Sequence, residues 1–410
     1  MPLSPERTVT ELRELQELTG DENGAQRVAW TNTWEQAREW LRGKLAATGA
    51  EETIDAAGNQ WFTLAGDSER ALLIGGHIDS VPNGGWLDGA LNVMAGVEVM
   101  RRIAEKGTRP VTVRLVNWAD EEGARFGRSL FGSSAAAGSM SDQDELRQRK
   151  DADGVSLPDA IARFGVELDT ALQARGELKN AAAYLELHIE QGPVLESMDL
   201  PLGVVLGTFG VERHQVTFRG QAAHAGSTPM DQRRDALAGA ARLELELKEI
   251  AARTGGGAVC TMGGVVTKPG IVTSVVETAE CLLDQRHLDG LQLAEMLDNA
   301  KAASRRFAQE EDLEVEWERI WNIEPILFDV GLIELADETI NEVAGSSHRL
   351  PSGPLHDAAE VARAGVPTVM VFVQSLRGLS HTKLEDTKEE HLELAVRALD
   401  RLAQKTIETL

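Results

Sequence analysis

Four short apolar runs constrain this chain more than anything else in it: ALLIGG at 71–76, VTVRLVNWA at 111–119, YLELHIE at 184–190 and VPTVMVFV at 366–373. A short apolar run closed by glycines, as the first is, predicts a strand buried on both faces. Between the first two runs Ala90, Val93, Met94, Val97, Met100 and Ala104 recur at helical spacing. Strand, helix, strand implies an α/β fold with a parallel sheet. Upstream, Trp34, Ala37, Leu41 and Leu45 predict a helix, with Thr31 and Asn32 available as caps. Residues 139–180 are charged and read as surface helices, and Leu392, Ala395, Leu399 and Leu402 mark a final helix.

The texture changes between about 208 and 322. RHQVTFRG is strand-like, a helix is expected from Asp235 to about Arg253, and GGGAVCTMGGVV and VVETAECLLDQRH precede a second helix from about Leu291 to Gln309. Two strand-helix-strand halves of this kind suggest a smaller α+β domain inserted in the larger one. With 410 residues, the chain exceeds the ~250–300 at which a single core stops growing. The expected division is therefore 1–207 with 323–410 as one domain and 208–322 as the other.

A formal net charge of −25 disfavours nucleic acid and anionic membrane surfaces as partners. No run approaches the roughly 18 apolar residues of a membrane span, and the opening MPLSPERTVTELREL lacks a signal-peptide plan, so a cytoplasmic protein is expected. Cys260 and Cys281 show no CxxC spacing and read as small buried hydrophobes.

Ligand-type residues follow the strands, where open α/β sheets build their sites. His77, Asp79 and Asp88 follow the first run, Asp120, Glu121 and Glu122 the second, His188 ends the third, and His381 follows the fourth. Imidazole with carboxylate suits zinc, manganese, cobalt or nickel more than calcium. Taken singly, each has a plain structural alternative: Asp88 could cap a helix, the three acids could be a solvated loop, and a lone histidine is more often structural. The case rests on several strand ends delivering His, Asp, Glu, His and His together.

These residues lie in longer motifs. HID at 77–79, WLDGALNVMAG at 86–96, NWADEEGARFG at 117–127, LELHIEQGPVLE at 185–196, GQAAHAGSTPMDQRRDAL at 220–237, DQR at 284–286, LHDA at 355–358 and LSHTKLED at 379–386 run in order from about residue 20 to the end. The sequence resembles the hydantoinase/carbamoylase-type amidases, the branch of the aminoacylase and carboxypeptidase-like metallohydrolases that includes N-carbamoyl-L-amino acid hydrolases, allantoate amidohydrolases and β-ureidopropionases. The resemblance implies a mixed, mainly parallel sheet flanked by helices, with the inserted domain serving as lid and dimerisation element. It implies two divalent ions (Zn, Mn, Co or Ni) per subunit, bridged by Asp88, one also held by His77 and His188, the other by Glu122 and His381. Glu121 would be the general base and Asp79 would orient His77. His224 would stabilise the oxyanion from the partner subunit of a homodimer. Gln191 and Arg286 would contact a small ureido or N-carbamoyl carboxylate substrate, with Arg233 and His356 also on motif positions; Arg233 could instead be an ion-pair partner of Asp235.

Two departures bear on specificity. PGIVTSVVE stands where the family has PGxxNVIPG, so Thr273 replaces an asparagine that helps bind the substrate carboxylate. A hydroxyl cannot offer that residue's amide pair. Ser352-Gly353-Pro354-Leu355-His356-Asp357-Ala358 stands where SGAGHDA is usual, with bulkier groups beside the site.

Overall fold

The computed structural model describes residues 2–105 and 107–410, which form two compact units. The first runs to Leu206 and resumes at Phe328; the second is Gly207–Leu327.

The first unit holds a mixed sheet. Seven of its strands lie in the order Leu202–Thr208, Thr368–Val373, Ala181–Ile189, Ala71–His77, Thr112–Trp118, Gln60–Leu64 and Glu51–Ile54, and Arg349–Ser352 also pairs with Leu202–Thr208. The four strands from Thr368–Val373 to Thr112–Trp118 are mutually parallel, and antiparallel strands flank them on both sides. Ala71–His77 and Thr368–Val373 are buried at every position, as strands covered on both faces must be. Leu12 of helix Pro5–Thr19, Val97 of helix Ala90–Glu105, Ile340 of helix Val330–Ala344 and Leu399 of helix Glu389–Thr409 share one buried cluster with Leu73, Leu115, Leu185 and Val371. Burying each such side chain is worth roughly 1.5–3 kcal/mol.

The helix expected around Trp34 is Asn32–Leu45, and the Thr31 hydroxyl accepts from the Trp34 amide at 3.3 Å. Helix Pro5–Thr19 was not anticipated, because its buried apolar side chains Val9, Leu12 and Leu15 are scattered among charged residues. Residues 139–180 form shorter pieces than expected: helices Gln143–Leu146 and Leu157–Ala162 and the 3-10 stretch Ala171–Leu178. Gly154 and Gly165 adopt φ of 81° and 77° there, conformations that interrupt a helix.

The parallel register brings the carboxyl ends of the four central strands to one edge. His77 is level with Trp118, and His188 with Phe372. The loops leaving that edge carry the ligand-type residues.

The second unit is a four-stranded antiparallel sheet in the order Val259–Lys268, Thr278–His287, Gly210–Arg219, Glu314–Ile323. Helices Ala236–Thr254 and Gly290–Glu310 pack on it around Val216, Phe218, Leu243, Leu247, Cys281, Met296 and Phe307. Each is capped by the aspartate that precedes it: Asp235 accepts from the Leu237 amide, and Asp289 from those of Leu291 and Gln292. Both cysteines are free, Cys281 buried and Cys260 partly so. Among the described residues no helix is long and apolar enough to cross a membrane.

Candidate metal centre and active site

His77 is the last residue of its strand, and its ring lies against Gly89, whose φ is 62°. A Cβ on Gly89 would overlap the imidazole, so the tight Asp88-Gly89 turn requires glycine for both space and conformation. The turn brings Asp88 Oδ1 to 3.1 Å from His188 Nε2 and 3.9 Å from His77 Nε2. On its other side Asp88 Oδ2 lies 3.4 Å from His381 Nε2, which is also 3.4 Å from Glu122 Oε2. Glu121 Oε2 lies 3.6 Å from His77 Nε2. Three sets of donor atoms, each within 4.8 Å of one another, result: His77 with Asp88 and His188, His77 with Glu121 and Glu122, and Asp88 with Glu122 and His381. Asp88 belongs to two of them.

Asp79 is fully buried, and its carboxylate accepts from the Glu121 and Glu122 amides at 3.4 and 3.2 Å. His77 Nδ1 is closest to the Asp79 carbonyl oxygen, 3.1 Å, with the carboxylate 3.7 Å away. Asp79 thus ties the acidic turn to the first strand as well as facing His77. Asp120, Gln191 and His381 each adopt φ of 56°, a region non-glycine residues enter at a cost of about 1 kcal/mol or more. Their surroundings hold them there: the Trp30 indole donates to Asp120 Oδ2 at 2.7 Å, and the Gln191 amide donates to Ser375 Oγ at 3.0 Å.

The electrostatics of this cluster are those of an acid-rich pocket lacking sufficient positive charge. Burial and the neighbouring Glu122, Asp357, Asp79 and Asp88 carboxylates push the Glu121 carboxyl well above its usual range. Burial and Asp88 do the same to Glu122, and burial with Asp120 raises Asp79 to about 8. Asp88 alone goes the other way: burial opposes its ionisation, but hydrogen bonds from His188 and His381 outweigh it. His188 reaches about 9 because contact with Asp88 overcomes the burial penalty, whereas burial drives His77 down to about 4. Four carboxylates and three imidazoles cannot settle together without large shifts, and a divalent cation removes the conflict by charge. Mixed nitrogen and oxygen donors converging from four strand ends fit such an ion.

Gln191 also lies here. Its Nε2 is 2.9 Å from both Asp88 Oδ2 and Ser380 Oγ, and a carboxylate oxygen can only accept, which fixes the orientation of the amide. Its Oε1 is buried and has no hydrogen-bond partner among the described residues. His356 is buried against His188, ring centroids 4.4 Å apart, with Nε2 2.9 Å from Ser352 Oγ. Ser380 and Glu385, which the sequence reading left unassigned, both bond to the Asp88 loop. Their presence in the LSHTKLED motif was the available signal.

In the second unit His224 is exposed, and its backbone pairs with Ser274, so Thr273 lies beside it. The Ala225 amide donates to the Thr273 carbonyl at 2.9 Å. His224 Nδ1 accepts from the Gly226 amide at 3.1 Å, so the neutral ring carries its proton on Nε2. Arg233 donates to the Ala225 and Thr228 carbonyls and braces this turn. Asp235, its alternative partner, is taken up in capping the following helix. Arg286, on strand Thr278–His287, makes a forked pair with Asp284 at 2.7 and 3.3 Å.

The model of the peptidase family M20/M25/M40 matches residues 73–405. The chain is 36% identical to an N-carbamoyl-L-amino acid amidohydrolase of Geobacillus stearothermophilus, covering 94% of each chain. It is 33% identical to the allantoate amidohydrolase of Escherichia coli, covering 92% of this chain and 91% of that one. Among solved structures, a hydantoinase/carbamoylase family amidase from Burkholderia multivorans superposes with a TM-score of 0.88 at 30% identity, over 98% of this chain and 97% of the other. Strand ends, donor sets and likeness along nearly the whole length agree: the chain belongs to peptidase family M20/M25/M40 and is a metal-dependent amidohydrolase of its hydantoinase/carbamoylase type.

Proposed function

We propose that the protein hydrolyses the C–N bond of a small N-carbamoyl-L-amino acid, giving the amino acid, ammonia and carbon dioxide. The observation that carries the ureido reading is the similarity, over more than nine-tenths of each chain, to named N-carbamoyl-amino acid and allantoate amidohydrolases, and the Gln191 side chain is consistent with it. Its Nε2 is committed to Asp88 and Ser380, leaving a buried Oε1 that lacks a donor. A terminal ureido NH2 offers donors to an acceptor of this kind, which the methyl of an N-acetyl group does not. Similarity to named carbamoyl-amino acid and allantoate amidohydrolases, 36% and 33%, supports the same substrate class. Allantoate or another ureido acid is the second reading, since it presents the same NH2.

In this reading His77, His188, Glu122 and His381 would hold divalent ions together with Asp88, which belongs to both the His77–His188 and the Glu122–His381 donor sets. Such ions, when bound, would supply Lewis acidity at the scissile carbonyl and lower the pKa of the attacking water. Glu121 accepts the proton of the attacking water and delivers it to the leaving nitrogen, the general acid–base role of a positioned carboxylate. Asp79 holds the backbone of Glu121 and Glu122 in register with His77. In a homodimer, His224 from the partner subunit donates its Nε2–H to the developing oxyanion. Arg286 grips the substrate carboxylate, assisted by Thr273, and Arg233 keeps the His224 turn in shape. His356 packs behind His188 and borders the substrate. The second unit then acts as lid and dimerisation element.

The test is ammonia release by chelator-stripped protein, with and without Mn, Co, Ni or Zn, on N-carbamoyl-L-amino acids, β-ureidopropionate, allantoate and matched N-acetyl amino acids. Metal-dependent ammonia from N-carbamoyl-L-amino acids is the expected result; turnover of allantoate alone selects the second reading. Cleavage of only the N-acetyl compounds removes both.

A further inference from the structure

Two of the groups that hold Asp88 in place, Ser380 and Glu385, have been given no role. The amides of Leu87 and Asp88 both donate to Glu385 Oε1 at 3.0 Å. Glu385 Oε2 lies 3.2 Å from the Ser380 hydroxyl, which is also 2.9 Å from Asp88 Oδ2. Gln191 Nε2 lies 2.9 Å from both Asp88 Oδ2 and Ser380 Oγ, closing the knot. Glu385 is 2% exposed, so these bonds are made away from water, where a lost partner is not replaced. The sequence makes room for it: a Cβ on Gly85 would overlap the Glu385 carboxylate.

His381 belongs to the same short segment as Ser380 and Glu385. Its Nε2 meets Asp88 Oδ2 and Glu122 Oε2, both at 3.4 Å. The donor set Asp88, Glu122 and His381 therefore depends on two loops nearly 300 positions apart in the chain keeping a fixed offset, and the Glu385 bonds to Leu87 and Asp88 fix it. We propose that Glu385, with Ser380, is a positioning residue that locks the Asp88 loop to the His381 loop and so assembles the cation site they share. This inference rests on the metal reading above.

Divalent-cation binding to the stripped full-length protein, titrated with Mn2+ and Zn2+ by calorimetry well below the melting temperature, tests it. Glu385→Ala is expected to weaken binding by about 10–100-fold, as loss of groups that orient metal ligands does. Glu385→Gln keeps an acceptor oxygen for the two amides and is expected to stay within a few-fold of the parent. Ser380→Ala, which removes a single hydroxyl, is expected to weaken binding by about 2–10-fold. A residue that only stabilises the fold lowers the melting temperature but leaves affinity unchanged. Unchanged affinity in Glu385→Ala, or in Ser380→Ala if the first variant does not fold, overturns the proposal. A parent protein that binds neither ion overturns the metal reading itself, a different and distinguishable failure.

Discussion

His188 and His224 were both marked by the sequence, and the two units treat them in opposite ways. His188 is buried, 3.1 Å from Asp88, and its proton affinity is raised to about 9 by that contact. His224 stands exposed on a turn, and its structural hydrogen bond is to its own loop, through the Gly226 amide. The same contrast holds for the neighbours. Asp79, Asp88 and Glu121 are buried among one another, whereas Arg233 and Arg286 bond within their own unit and Thr273 is exposed. The first unit has its ligand-type groups already assembled and held in electrostatic conflict that a cation would relieve. The second presents its groups at the surface, bonded within their own loops and strands. Preorganisation of this kind is what makes a buried charge cluster useful in catalysis, and exposed groups contribute only once something desolvates them.

Substitutions can break or sharpen this contrast. The largest effect is expected for Glu121→Gln, with turnover falling about 10²–10⁴-fold while metal content by atomic absorption stays unchanged. Substantial remaining activity would take the proton transfer away from Glu121. In the second unit, His224→Ala should lower kcat by about 10²–10³-fold with KM little altered, and the far-ultraviolet spectrum should not change, since the ring is exposed. A large loss of stability instead would mean that the histidine shapes its turn and no more. Arg286→Ala should raise KM by about 10–100-fold for carboxylated substrates, the worth of one charge-assisted pair; unchanged kinetics would place carboxylate recognition elsewhere.

A further effect, on stability and not on turnover, is a pH dependence confined to the first unit. In the metal-stripped protein Asp79 titrates at about 8 against ~3.9 when unfolded, and His188 at about 9 against ~6.5. Between pH 6.5 and 8 the folded state therefore holds protons that the unfolded state has released. Its stability should fall as pH rises, by about 1.4 kcal/mol per pH unit for each proton held. Added metal should flatten that slope. Melting curves of stripped and loaded protein at pH 6.5 and 8 check this, and parallel behaviour of the two forms would mean that the ion does not neutralise these acids.

Much of the fold was legible because periodicity and burial are local signals. The runs at 71–76 and 366–373 are apolar throughout since strands covered on both faces have no wet side. The stripe from Ala90 predicted a helix that is indeed buried on nearly every side. Helix Pro5–Thr19 escaped notice because only Val9, Leu12 and Leu15 mark its buried face in a strongly charged segment. The pattern at 139–180 predicts longer helices than form, because charge and propensity say nothing of where Gly154 and Gly165 turn the chain. In the site, residue types and motif positions pointed to His77, Asp88, Glu122, His188 and His381. They did not reveal that Ser380 and Glu385 tie down the Asp88 loop.

The sequence by itself determined the four central strands, the helices Asn32–Leu45, Ala90–Glu105 and Glu389–Thr409, both helices of the smaller unit, the family and the identity of the ligand-type residues, because each is written in residue types at fixed spacing. Only the tertiary structure decided which atoms meet. Asp79 turns its carboxylate to the amides of Glu121 and Glu122, Gln191 commits its nitrogen and leaves its oxygen without a donor, and Arg233 braces a turn in place of pairing with Asp235. Such choices depend on backbone angles and on contacts between loops far apart in the chain, as when Glu385 reaches the amides of Leu87 and Asp88. They are settled by packing, which no local pattern encodes.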